Sequence, residues 1–135
     1  MGEVFAQAEV ASPANNGVRA RLCALVDTGS SYTIIPPRLV RRLGLLIVDR
    51  EELNTAKDET VPGRIVEASL RVGTGAWLHR HLVFASDEPL REDLFLDRAT
   101  GRTVRPGALL GALTLQEAGL LVDFRRHRVR RAKRT

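Results

Sequence analysis

Ala24-Leu25-Val26-Asp27-Thr28-Gly29-Ser30-Ser31-Tyr32-Thr33-Ile34-Ile35-Pro36 sets an apolar strand directly before Asp-Thr-Gly and a short β-branched strand directly after it. The one carboxylate of the segment is thus carried at the end of a buried element. A carboxylate is tolerated there only when it is hydrogen-bonded, paired or protonated. Gly29, which lacks a Cβ, lets the main chain turn sharply and present N–H groups to Asp27. Thr28 adds a hydroxyl that both donates and accepts.

Upstream, residues 4–10 alternate Val4/Ala6/Ala8/Val10 against Phe5/Gln7/Glu9, the period of a half-buried strand. Residues 12–17 read as a turn, with Asn16-Gly17 the strongest hairpin signal in the chain, and residues 18–26 return as the strand that delivers Asp27. Downstream, Tyr32 to Ile35 leaves the loop as another strand. Pro36-Pro37 ends it, and Pro37 suits the first turn of a helix over Leu39, Val40 and Leu43, with Gly44 as a left-handed cap. Strands are expected over 45–48, 53–56, 63–72 and 77–85. Residues 86–107, rich in charge and containing Pro89 and Pro106, read either as a small hairpin near Leu94-Phe95-Leu96 or as a solvated loop.

A second block lies far from the first. Ala108-Leu109-Leu110-Gly111-Ala112-Leu113-Thr114-Leu115-Gln116-Glu117-Ala118-Gly119-Leu120-Leu121-Val122-Asp123-Phe124 resembles the hydrophobic-hydrophobic-Gly strand, short helix and final strand of the retroviral-type, single-domain aspartic proteases. The Asp27-Thr28-Gly29 segment resembles their active-site loop. Asp-Thr-Gly alone is a weak pattern; joined to the second block in this order it is a specific one. The resemblance is to the retropepsin-like family in its bacterial single-domain form. It implies an all-β, closed barrel with one or two short helices over residues 1–124, followed by a basic tail over 125–135.

It also implies a homodimeric aspartic endopeptidase acting on peptide or protein substrates. Two-lobed relatives carry one catalytic Asp per lobe, and this chain has one Asp-Thr-Gly, so two chains are needed to complete a site. Asp27 would be the catalytic acid, Thr28 would lock the two loops across the axis, and Gly29 would offer backbone groups to the substrate. Ser30 would hydrogen-bond near Asp27, Ile34 and Leu109 would line side-chain pockets, and Gly111 would sit where a Cβ has little room. Lys57 and Asp58 fall at the tip of the hairpin flap that closes over peptide in relatives. No metal or organic cofactor is implied. Plainer roles stay open: Asp27 as a strand-end turn residue, Thr28 and Ser30 as an ordinary polar turn, Ile34 and Leu109 as core.

Two departures bear on function. Viral relatives pair an acidic residue two places after the active-site Gly with an Arg after the downstream Gly; here those positions are Ser31 and Ala112. Both charges are missing, so neither is left buried alone. Relatives also carry glycine near the flap tip, whereas this chain has none there until Gly63. Both departures favour an alternative function, a non-catalytic module that grips extended peptide.

Charge location qualifies the net charge of +5. Seven positive residues lie in 125–134, which leaves the remainder at −2. Such a run reads first as a solvated end and second as a contact for nucleic-acid phosphates, without interleaved aromatics for base stacking. His79 and His81 lie two apart on a strand without a third ligand in view. The single Cys23 excludes an internal disulfide and, with no membrane-length apolar run, leads to the expectation of a soluble cytoplasmic protein.

Overall fold

The computed structural model describes residues 3–54, 59–88 and 94–132, apart from the Asn16 side chain. The alternation near the N-terminus becomes β1 (Phe5–Ser12), antiparallel to β2 (Asn15–Val26) from Phe5↔Leu25 to Ala11↔Arg19. Their turn is at Pro13-Ala14 and not at Asn16-Gly17. Pro13 presets φ for the turn, the Ser12 hydroxyl oxygen accepts the Ala14 N–H at 3.2 Å, and Gly17, already in β2, takes no positive φ.

The remaining elements are β3 (Ile34–Ile35), α1 (Arg38–Leu43), β4 (Leu46–Asn54), β5 (Thr60–Val72), β6 (Leu78–Ser86), β7 (Phe95–Asp97), β8 (Arg102–Val104), β9 (Ala108–Leu110), α2 (Ala112–Glu117), β10 (Leu120–Asp123) and β11 (Arg128–Arg131). The main sheet runs β1-β2-β9-β3-β6-β5-β4, and pairing of β1 with β5 from Ala8↔Val72 to Ala11↔Ser69 closes it. Six strands therefore form a barrel, with β4 outside it. One edge of β5 serves two partners: its first half pairs with β4 and its last four residues with β1. Closure removes the open edges that an exposed sheet would present.

Val10, Ala24, Ile35, Leu39, Val66, Leu70, Val83, Ala85 and Leu110 fill the interior. The alternation of β1 is incomplete, because Glu9 is nearly as buried as its apolar neighbours. It is covered by Arg71, which hydrogen-bonds it, and by Arg19 at 3.4 Å. The bond from Arg71 holds the Glu9 carboxyl below the usual range. In α1, Leu39, Val40 and Leu43 are buried and Gly44 caps the helix at φ 64°.

Two sequence expectations need correction, and one open alternative is decided. The two strands expected over 45–48 and 53–56 are one, β4, because Asp49 to Glu52 stay solvated on the strand while its ladder with β5 continues. Of the two readings for residues 86–107, the small hairpin is the one observed, as β7–β8. Residues 125–132 are not a free solvated end: β11 pairs with β10 from Leu120↔Arg131 to Asp123↔Arg128, and the Ala132 N–H donates to the Gly119 carbonyl at 2.8 Å. Asp123 makes the turn, its Oδ1 accepting the N–H groups of Arg125 and Arg126 at 3.1 and 3.2 Å. Val122 and Val129 pack on the core. No helix among the described residues is long and apolar enough to cross a membrane.

Candidate active site

β2 carries Asp27 to the end of the barrel, and the neighbouring strand fixes it there. The pairing of β2 with β9 is parallel, Leu25↔Leu109 and Val26↔Leu110, and continues as an Asp27 N–H bond to the Leu110 carbonyl at 2.9 Å. The Gly29 N–H donates to Asp27 Oδ1 at 3.1 Å, and the Ser30 N–H to the Asp27 carbonyl at 3.1 Å. One amide, that of Gly29, therefore reaches the carboxylate, while the next closes the turn on the Asp27 main chain. Asp27 is partly buried while Thr28 and Gly29 are exposed. The carboxylate stands at a protein surface with protein on one side of it.

The Ser30 hydroxyl donates to the Tyr32 carbonyl at 2.7 Å and stabilises the loop's own turn, in place of the expected bond near Asp27. Ile34 and Leu109 are register partners in adjacent strands and are each only half-buried. Gly111 is buried, and a Cβ there would overlap the Tyr32 carbonyl and come within 2.8 Å of the Thr33 nitrogen. Lys57 and Asp58 lie outside the described residues. The strands on either side of them, β4 and β5, pair antiparallel from Leu46↔Glu67 to Asn54↔Thr60 and form the arm expected to carry the flap. Gly63 lies on β5, where it meets Glu51 of β4 and Ser86 of β6. A Cβ on Gly63 would stand 2.7 Å from Phe84 Cε1 and 2.6 Å from the Ala85 carbonyl oxygen, so this glycine makes room for a buried ring.

Where viral relatives place an ion pair, this chain uses main chain. The Ala112 N–H donates to the Ser30 carbonyl at 2.8 Å and the Leu113 N–H to the Ser31 carbonyl at 3.0 Å. These amides belong to the first turn of α2 and have no partner inside a helix, so the loop satisfies them. Beneath them run three side chains that the sequence did not single out for the loop. The Gly111 N–H donates to Thr33 Oγ1 at 3.0 Å, Thr33 Oγ1 meets Thr114 Oγ1 at 2.6 Å, and Thr114 Oγ1 meets His81 Nε2 at 2.8 Å. A Thr inside a β-branched run gives no sequence signal for such a role. The only hint was a hydroxyl in the hydrophobic face of α2.

The two histidines of β6 have different partners, since His79 Nδ1 meets Ser69 Oγ at 3.2 Å. Arg80 between them takes a φ of 52°, which breaks simple strand alternation. Cys23 is partly buried; burial, aided by Asp97, pushes its thiol up and away from the reactive thiolate. A surface cleft of about 510 Å³ lies between β6 and α2, lined by residues that include Tyr32, Trp77, His81, Leu113 and Glu117. None of Asp27, Thr28 or Gly29 lines it.

The comparisons agree with this architecture. In the solved structures the chain is similar to the retroviral protease-like domain of Ddi1 from Leishmania major, with a TM-score of 0.56 at 14% identity over 96% of this chain and 88% of that one. It is also similar to a retropepsin-like aspartic protease from Rickettsia conorii, with a TM-score of 0.52 at 17% identity over 90% of this chain and 76% of that one. At those identities the likeness establishes a shared fold. No curated protein matches the sequence. A family model described as aspartyl protease matches residues 8–112, a span that runs from β1 through Asp27 to Gly111 and beyond. The chain therefore belongs to the aspartyl protease family and has the retropepsin-like fold.

Proposed function

We propose that this protein is an aspartic endopeptidase that becomes active as a homodimer, with one Asp27 from each chain. The observation that carries the proposal is a single partly buried carboxylate, fixed by Leu110 and Gly29 and facing an open surface. In this reading each copy would supply one wall of a substrate cleft. Two Asp27 carboxylates about 3 Å apart would repel by roughly 5–6 kcal/mol at an effective dielectric near 20. That is about four pK units, so the pair holds one proton between them, a coupling long established for aspartic proteases as a class.

The ionised member takes a proton from water, whose oxygen attacks the scissile carbonyl carbon. The protonated member donates to the carbonyl oxygen, and proton transfer to the amide nitrogen then lets the C–N bond break. Thr28, exposed beside Asp27, is suited to bonding its counterpart across the axis, and Gly29 to binding substrate backbone. Ser30 shapes the loop, and Ile34 and Leu109 offer half-buried apolar surface for substrate side chains. Lys57 and Asp58 are assigned to the flap over the peptide, and Gly111 to holding the acid's support close. The Asp27→Asn chain should fold and dimerise like the parent while losing peptide hydrolysis by several orders of magnitude. Retained cleavage by that variant refutes the mechanism.

One observation favours a second reading, a non-catalytic peptide-binding module. In relatives of this fold the terminal strand pairs with the partner's termini, whereas β10 here pairs with β11 of its own chain, so one of its edges is already taken. Sedimentation separates the two readings, because a strict monomer has half a site.

A further inference from the structure

The hydrogen-bond chain under the active-site loop ends on a titratable group, and its polarity can be worked out. Thr33 and Thr114 are buried at 2% and 0% exposure, so their hydroxyl protons need acceptors inside the protein. The Gly111 N–H can only donate, and it donates to Thr33 Oγ1. Thr33 then donates to Thr114, Thr114 donates onward, and the group next in line is His81 Nε2. Every donor has an acceptor only if Nε2 carries no proton. Among the described residues neither hydroxyl has another acceptor.

We infer that His81 is a positioning residue of the active-site loop, acting in its neutral form with the proton on Nδ1 and Nε2 as terminal acceptor for Thr114, Thr33 and Gly111. Protonation makes Nε2 a donor. Thr114 must then turn its proton toward Thr33, and one buried hydroxyl proton is left without an acceptor. Because Gly111 follows the strand that holds Asp27 and precedes the amides that hold Ser30 and Ser31, the mismatch arises directly beneath the acid.

The surroundings favour the neutral ring. Burial pushes His81 below the ordinary imidazole value, and Glu117 on α2 opposes that push. The other charged or titratable groups near the ring are His79 and Arg80 on β6, the Tyr32 phenol before β3, and Glu67 on β5, which pairs with Arg80 at 3.5 Å. A histidine whose folded value is lowered contributes stability that is complete above the unfolded value near 6.5 and is lost as pH falls toward the folded value.

The effect on catalysis rests on the aspartic protease proposal, whereas the hydrogen-bond arrangement does not. The direct test is nitrogen-detected NMR of the His81 ring in the full chain, with amide shifts of Gly111 and Ser30 followed against pH. The expected result is a neutral Nδ1–H tautomer at pH 7, titration below pH 6.5, and both amides moving with the same midpoint. Glu117→Gln should shift that midpoint to lower pH. His81→Gln, which supplies a carbonyl acceptor that does not titrate, should abolish the matching amide transitions. If hydrolysis is present, His81→Gln should also remove an acid-side fall in kcat of about tenfold per pH unit below the midpoint. A neutral Nε2–H tautomer, or amides that ignore the His81 titration, overturns the inference. Absence of hydrolysis with the NMR result intact overturns the proposed function alone.

Discussion

The active-site loop and the β4–β5 arm extend from the same sheet, yet they are held in opposite ways. The loop over 27–35 is bonded to residues some 80 positions away, through Leu110, Ala112 and Leu113 on the main chain and Thr33 to Thr114 on side chains. Ala24 and Leu25 just before it and Ile35 at its end are buried. Along β4, every side chain but Leu53 is exposed, and Leu46, Ile47 and Val48 stay open at 61, 46 and 52%. Its ladder to β5 is what holds it. In the proposed enzyme, chemistry between two acids would tolerate little misplacement, while an element that admits and releases peptide would have to open. The chain concentrates long-range bonds where the acid sits and withholds burial from the arm.

Substitutions can break that contrast at graded cost. Gly111→Ala should do most, because its methyl meets the Tyr32 main chain, which cannot yield without moving the loop. A loss of about 3 kcal/mol, read by urea unfolding, is expected, with any hydrolysis lost alongside. Gly63→Ala tests the junction where β5 passes from arm to barrel wall. Its methyl faces the Phe84 ring and the Ala85 carbonyl oxygen, and a loss of about 1–3 kcal/mol is expected. Ile47→Thr, on the arm itself, should change stability by less than about 0.5 kcal/mol, since its side chain is already half in water and threonine keeps the β-branch. A large loss from Ile47→Thr, or none from Gly111→Ala, would erase the distinction between the two regions.

The same contrast explains what could be read in the sequence. Asp27, the apolar strand before it and the Leu109-Leu110-Gly111 strand were legible because burial writes an apolar pattern and close contact demands glycine. The cap at Gly44 was legible for its left-handed backbone. The arm was read as two strands because Asp49-Arg50-Glu51-Glu52 has no buried face to impose a pattern, and pairing with β5 leaves no trace in its own residues. The β10–β11 hairpin was hidden by its arginines: Val122↔Val129 and the Asp123 turn define it, but a basic run reads as solvated. Asn16-Gly17 is a strong turn signal that lost to Pro13-Ala14 three residues earlier. The Thr33, Thr114 and His81 chain was illegible because it joins three distant segments through single atoms.

The claim at the centre is that each chain supplies half of one catalytic site. It is tested by mixing wild-type and Asp27→Asn chains at fixed total concentration, allowing them to exchange, and measuring peptide hydrolysis across the series. If both acids of a pair are required, the rate falls as the square of the wild-type fraction. A rate that falls linearly, or no hydrolysis from the wild-type chain itself, contradicts it.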